Sequence, residues 1–148
     1  MTSKADFTEQ EWDMVLEGPP SAAMIVITSH HGGTLRETFS MAKTYAETRQ
    51  EHGHSELLDE LVAAKPEIDH TRYSTPEELS EHSLQHIRDA NALVEAKATP
   101  PELAEYRQFI LNLSDRVAKA HKEGDVEVSE AERAAIASIT EALEAPSA

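Results

Sequence analysis

The chain has 148 residues and a formal net charge of −15, from 28 acidic and 13 basic side chains. A field of this sign repels phosphate backbones and anionic lipid headgroups, which argues against a nucleic-acid-binding protein and against a peripheral membrane protein. The sequence has no cysteine, and this excludes disulfides, thiolate nucleophiles and Cys-ligated metal sites.

Residues that start and stop helices divide the chain into seven predicted helices. Their approximate ranges are 8–17, 20–31, 35–52, 55–65, 76–98, 100–123 and 130–144. No stretch alternates polar and β-branched residues over the length of a strand, so we expect no β-sheet. The polar stretch 66–74 is expected to be a loop. The sequence therefore predicts an all-α bundle forming a single domain over residues 1–148, with residues 1–6 and 145–148 frayed.

Ser/Thr-x-x-Glu patterns mark five helix N-termini, because the hydroxyl and the carboxylate each accept a hydrogen bond from the other residue's backbone N–H. Phe7 and Trp12 flank the first of them as a hydrophobic staple. Gly18 is predicted to end the first helix, in a left-handed C′ position. The five patterns are Thr8/Glu11, Thr34/Glu37, Thr75/Glu78, Thr99/Glu102 and Ser129/Glu132.

The spacing of apolar residues predicts which parts of the helices are buried. The run 22–27 is the most apolar of the chain; it is too short to span a membrane and is predicted to be a buried helix. Residues 1–11 are polar and lack an apolar export segment, which predicts a cytoplasmic protein. The predicted core stripes are Leu35, Phe39, Ala42 and Ala46 in the third helix, Leu103, Tyr106, Ile110, Leu113, Val117 and Ala120 in the sixth, and Ile136, Ile139 and Leu143 in the seventh.

Two distant stretches repeat the order helix, histidine, glycine, hydroxyl cap, glutamate. Packed as a pseudo-symmetric pair, they would bring two loops to one end of the bundle. Two or three imidazoles with two carboxylates suit zinc or another transition metal. Alternatively, the glutamates act only as helix caps and the histidines only interact with helix dipoles. This first candidate metal site comprises His30, His31, Glu37, His121 and Glu132.

Glu78, His82 and His86 form a second candidate metal site, because a spacing of four places them on one face of a helix. The segment HSLQHIRDA resembles helical-bundle metal proteins of the DinB-like group, in which such a helix is paired with a further histidine. The alternative is a partly exposed helix face on which Glu78 pairs with His82.

The spacing that starts at His121 is also that of a calcium-binding EF-hand loop. A histidine at position one and Val126 at position six, where the turn requires glycine, make calcium less favoured than a transition metal. The alternative is a solvated acidic turn before a capped helix. Positions 3, 5, 7, 9 and 12 of the loop are Glu123, Asp125, Glu127, Ser129 and Glu132.

The segment AKAHKEGDVEVSEAERAAIASITEAL resembles the tellurite-resistance TerB-like family. The segments DFTEQEWDMVLEGPPSAAMIVI and KATPPELAEYRQFILNLSDRVAKAHKEG are similar to uncharacterised bacterial helical proteins of the same plan. Together the resemblance covers residues 6–48 and 96–144. It implies an all-helical fold, an acidic metal-binding surface, a link to stress responses and no established enzymatic reaction.

Carried over by position, the glutamates of the family's first helical turns fall on Glu37 and Glu132. Its acidic turn falls on His30 or His31 in the first unit and on His121 or Glu123 in the second. The family's Asp-Gly is replaced here by His-Gly-Gly and Glu-Gly-Asp, and imidazole shifts the preference towards transition metals.

The leading hypothesis is a non-enzymatic, acidic, cytoplasmic helical protein that binds a divalent metal or a partner through the end that carries its histidine loops. The partner would be another protein or a second copy of the chain. One alternative is a metal-dependent enzyme with a His-rich site in the bundle. Another is a purely structural interaction module. No G-x-S-x-G elbow or phosphate-binding glycine loop is present, so no catalytic residue is predicted.

Overall fold

The computed structural model describes residues 3–28, 34–51, 55–64, 76–120 and 130–144. Within these ranges the chain forms a short 3-10 helix, Lys4–Asp6, six α-helices and no strand, which confirms the all-α prediction. The predicted loop 66–74 lies outside the described residues. The α-helices are α1 Glu9–Thr28, α2 Thr34–Gln50, α3 Glu56–Ala63, α4 Pro76–Lys97, α5 Pro100–Ala120 and α6 Glu130–Glu144.

Helix α1 lies at the centre of the bundle. It packs along α4 and also contacts α2, α5 and α6. Residues 18–27 are all buried, as expected for a helix surrounded on every side, and this confirms the predicted burial of the run 22–27. None of the helices in the described ranges combines the length and the apolar character that a membrane crossing requires.

Side-chain contacts fix the helix directions. Lys97, at the end of α4, bonds to Glu11, at the start of α1, so these two helices are antiparallel. Arg107 Nε donates to Asn91 Oδ1 at 2.9 Å, so α5 folds back along α4 and runs parallel to α1. The starts of α1 and α5 therefore lie at one end of the bundle, and their last residues lie at the other.

Gly18 does not end a helix: the predicted helices 8–17 and 20–31 form the single helix α1, which continues through Pro19 and Pro20. Pro19 has no N–H, so it cannot donate to the carbonyl of Val15 four residues earlier. The hydroxyl of Tyr106 on α5 takes over that role and donates to Val15 O at 2.8 Å. A tertiary hydrogen bond thus satisfies the carbonyl of Val15, at the point where local sequence signals predict that the helix ends.

The glycine at position 18 makes room for this hydroxyl. A Cβ added to Gly18 would lie 2.2 Å from Tyr106 Oη and 3.3 Å from the Cβ of Ala90. No real Cβ approaches another heavy atom as closely as the first of these distances. Gly18 is therefore required by packing and not by a turn.

The predicted core stripe of α2 is wrong. Phe39 is 70% exposed and Ala42 is also exposed, whereas the side chain of Leu35 lies outside the described part. The hydroxyl of Thr44 donates to Ser40 O at 2.9 Å, and that of Thr48 donates to the carbonyl of Thr44 at 2.8 Å. These polar residues can be buried because their hydroxyls bond to their own helix. The buried face consists of Met41, Thr44, Tyr45 and Thr48.

The stripes of α5 and α6 and the helix caps that fall in the described residues are confirmed, whereas the side chain of Ala120 lies outside them. Thr8 N donates to Glu11 Oε1 at 2.9 Å, and Glu11 N donates to Thr8 Oγ1 at 3.1 Å, which completes the first capping box. Thr99 and Glu102 form the same box before α5. Buried stripe residues are Tyr106, Ile110, Leu113 and Val117 on α5 and Ile139 and Leu143 on α6, with Leu103 and Ile136 partly buried.

Candidate functional site

The first candidate metal site is not described by the structure. His30, His31 and His121 lie outside the described residues; Glu37 on α2 and Glu132 on α6 have side chains that are also outside them. The site therefore stays a prediction.

The helices that lead into the two predicted loops do lie close together. Ser40 Oγ, near the start of α2, donates to the carbonyl of Arg116 near the end of α5 at 3.3 Å. The guanidinium of Arg116 lies 2.6 Å from a carboxylate oxygen of Glu47, and this hydrogen bond lowers the pKa of Glu47. The start of α2 and the end of α5 thus share one end of the bundle.

The second candidate metal site lies on α4. His82 is exposed and Glu78 is half-buried. His86 is turned towards α1, where its Nδ1 lies 3.7 Å from Glu17 Oε2. Within the described ranges, no three His, Asp or Glu side chains come together as metal ligands. A cleft of about 630 Å³ runs along another face of the same helix, lined by Glu77, Ser80, Glu81, Leu84 and Arg88.

A groove of about 880 Å³ lies between the N-terminal segment, residues 4–8, and helices α1 and α3. We call it the α1–α3 groove. Phe7, Trp12 and Leu16 form its apolar floor. The rings of Phe7 and Trp12 lie 5.6 Å apart, so the predicted hydrophobic staple also builds this floor. Ala63 and Ala64 at the end of α3 line the opposite side.

The groove is open because α3 packs mainly on α2 and α5 and not along α1. Both ends of α3 are held there. At its start, the carboxylate of Glu105 accepts hydrogen bonds from the backbone N–H of Ser55, at 3.0 Å, and from its hydroxyl. At its end, the guanidinium of Arg49 donates to the carbonyls of Val62 and Ala64. An acid at the N-terminus and a base at the C-terminus both suit the helix dipole.

The N-terminal wall of the groove is held by Lys97. Its ammonium lies 2.6 Å from Glu11 Oε1, 3.2 Å from the carbonyl of Asp6 and 5.4 Å from the centre of the Phe7 ring. The hydrogen bond from Lys97, and next the backbone N–H of Thr8, lower the pKa of Glu11. These contacts fasten the 3-10 helix to α1 and α4.

The rim of the groove is acidic. Glu9 and Asp13 are exposed on the α1 side, and Glu60 is half-buried on the α3 side. Lys4 is the one basic residue among the described lining residues, and its backbone N–H donates to Glu60 Oε2 at 2.7 Å. The groove thus combines an apolar floor with carboxylates on both sides.

Sequence reasoning did not find this groove, and none of the predicted site residues lines it. It assigned Trp12 to the hydrophobic staple, and in the structure this side chain is 5% exposed. A signal was nevertheless present. Positions 9, 12, 13 and 16 alternate acids and large apolar residues at the spacing of one helix face.

Comparisons of this chain with protein-family models, with curated proteins and with solved structures found no match. The TerB-like resemblance therefore depends on the quoted sequence segments alone. Any function has to be inferred from the chain's own residues.

Replacing Glu105 with alanine is expected to loosen α3 and cost about 1 kcal/mol, because the start of that helix loses its charged acceptor. Hydrogen exchange should show faster exchange of the α3 amides, while those of α1 stay protected. Asp115→Ala is the control, since it removes an exposed pair with Lys119 on α5 and should cost less than about 0.5 kcal/mol. Equal exchange in the two variants would contradict this role of Glu105.

Proposed function

We propose that this chain is a non-enzymatic, acidic helical protein that binds a protein partner in the α1–α3 groove. The observation that carries the proposal is an open groove with an aromatic and aliphatic floor and an acidic rim. Aromatic residues are enriched at the positions that contribute most to binding at protein interfaces, and helix-lined apolar grooves are a recurring way to hold a segment of another protein.

The fixed walls of the groove support the same proposal. Lys97 holds the N-terminal wall, whereas Glu105 and Arg49 hold α3. A site that is already formed costs less ordering entropy when a partner binds. We therefore expect binding without large rearrangement of the backbone around the groove.

The TerB-like plan, a link to stress responses and a cytoplasmic location belong to this proposal, and the sequence alone supports them. Binding of a divalent metal by His30, His31, Glu37, His121 and Glu132 is a separate part of it. In the sequence the predicted loops follow α1 and α5, whereas the groove is lined by residues at the start of α1.

Filling the groove tests the proposal. Ala63 is exposed and lines the groove, so Ala63→Phe places a ring where a partner would lie without removing a core side chain. A photo-reactive phenylalanine at position 4, where an exposed lysine lines the groove, should cross-link the partner in cells and leave position 63 unfilled. The purified partner should then bind the Ala63→Phe variant at least about tenfold more weakly, which corresponds to about 1.4 kcal/mol.

Ala134→Phe is the matched control, because Ala134 is an exposed alanine on α6. It should leave the affinity for the partner unchanged. The proposal is wrong if position 4 cross-links no protein above the level seen with the same photo-reactive residue at position 134. It is also wrong if the two phenylalanine variants bind the identified partner equally well.

A further inference from the structure

We infer that the occupant of the α1–α3 groove is a basic amphipathic helix of the partner protein. This inference rests on the proposed function above and names the chemistry of the ligand. The inference is based on the geometry of the two helices that line the groove and on the charges along its rim.

The α1 wall is a continuous helical stripe. Glu9, Trp12, Asp13 and Leu16 follow the spacing i, i+3, i+4, i+7, which places them on one face of α1. The seven residue-to-residue steps from Glu9 to Leu16 rise about 10 Å, or about two helical turns. An occupant of matching length presents two apolar side chains, three or four residues apart, to the floor.

The α3 wall has the same kind of spacing. Glu60 and Ala63 stand at i and i+3 on that helix, and Ala64 is the extended residue that caps its end. The two alanines are small, so they allow a backbone to approach closely. Two helices that do not pack along one another can accept a third helix between them, at about 8–10 Å from each. An extended strand finds no sheet edge here, because the described part of the chain has none.

The charges on the rim determine which sign of charge the bound segment should carry. Three acidic residues, Glu9, Asp13 and Glu60, line the groove, where Lys4 is the one basic residue among those that the structure describes, and the whole chain carries −15. Lys or Arg side chains on both flanks of a bound helix would meet carboxylates on both rims. A second copy of this chain brings another −15, and long-range repulsion opposes its docking.

Synthetic helices test this charge preference directly. One peptide of about four turns presents leucines on one face and lysines on its flanks; a second replaces every lysine with glutamate; a third scrambles the first. Trp12 is the only tryptophan of the chain and lies in the groove floor, so its fluorescence reports binding when the peptides contain none. We expect saturable binding of the lysine peptide, at least about tenfold tighter than binding of the other two.

Two charge-reversal variants of the protein show whether the rim itself is recognised. Asp13→Lys changes an exposed acid of the rim, and Glu141→Lys makes the same change of net charge on an exposed position of α6. Affinity for the lysine peptide should fall roughly fivefold or more in the first variant and stay within about twofold in the second. Because the rim acids are solvent-accessible, affinity should also fall between about 50 and 300 mM NaCl.

The outcomes separate this inference from the proposed function. Equal binding of the lysine and glutamate peptides, equal effects of the two charge reversals, or no binding of the lysine peptide would each overturn the basic helix. If Ala63→Phe still weakens binding of the cross-linked partner, the groove remains the binding site. Only the identity of the occupant as a basic helix is then wrong. If Ala63→Phe changes no binding at all, the proposed function fails as well.

Discussion

Replacing Gly18 with alanine is expected to lower the free energy of unfolding by about 3 kcal/mol, although alanine is the better helix former. The new Cβ would lie 2.2 Å from the hydroxyl of Tyr106. Tyr106 is 1% exposed, so its ring has no open space to move into. The hydroxyl would be displaced from Val15 O, and that carbonyl would lose a donor that Pro19 cannot replace.

A double-mutant cycle tests this explanation. Tyr106→Phe alone should cost about 1–2 kcal/mol, because it leaves the carbonyl of Val15 buried without its donor. In the Tyr106→Phe background, Gly18→Ala should cost much less, since the atom that its Cβ would strike has been removed. The measurement is urea unfolding followed by circular dichroism. Additive effects of the two substitutions would show that the close approach does not limit residue 18.

The same contact explains why the sequence predicts two helices where one exists. Gly18 followed by Pro19 and Pro20 has the local features of a helix end followed by a helix start. The group that compensates for the missing N–H comes from Tyr106, 91 residues away in the chain. No window of local sequence contains that information, so only the folded bundle shows that the helix continues.

Local interactions, in contrast, were predicted well. The capping boxes at Thr8 and Thr99 involve residues three positions apart, and the structure contains both of them. The stripe on α5 was also predicted, because its apolar residues are large and regularly spaced. The stripe on α2 was not, because burial of Thr44 and Thr48 depends on hydroxyls that bond to their own helix. A pattern of apolar residues alone assigns such threonines to the surface.

For the candidate site too, the sequence predicts local features but not those that depend on contacts between distant residues. The acids and apolar residues of the α1 wall can be read from the sequence, but the groove exists only because α3 packs against α2 and α5. That placement depends on Glu105 and Arg49, which contact α3 from two other helices. The sequence therefore supplies the chemistry of one wall and does not reveal that the wall faces an open space.

Replacing Tyr45 with phenylalanine is expected to raise the free energy of unfolding by about 2 kcal/mol. Tyr45 is 2% exposed, and its hydroxyl is the buried side-chain group in the described part of the chain that has no hydrogen-bond partner. Its ring packs edge-on against Phe109 at 5.2 Å, and phenylalanine would keep that contact. The substitution removes only the uncompensated polar atom, so the cost of its desolvation disappears. Urea unfolding at neutral pH measures the gain.

The dependence of stability on alkaline pH provides a second measurement. Burial raises the pKa of Tyr45 and of Tyr106 in the folded chain. Above about pH 10 the unfolded chain releases these protons while the folded chain retains them, so stability falls as the pH rises. Tyr45→Phe should reduce this loss of stability at high pH. Part of the loss should remain, because Tyr106 still contributes to it.

Tyr106→Phe is the matched control for Tyr45→Phe, because both substitutions remove one buried hydroxyl from the same core. The hydroxyl of Tyr106 donates to Val15 O, whereas that of Tyr45 has no partner in the described residues. The two variants should therefore change stability at neutral pH in opposite directions, while both weaken its fall at high pH. A loss of stability in both variants would mean that Tyr45 has a hydrogen-bond partner in solution, and the unpaired hydroxyl would then not explain the effect.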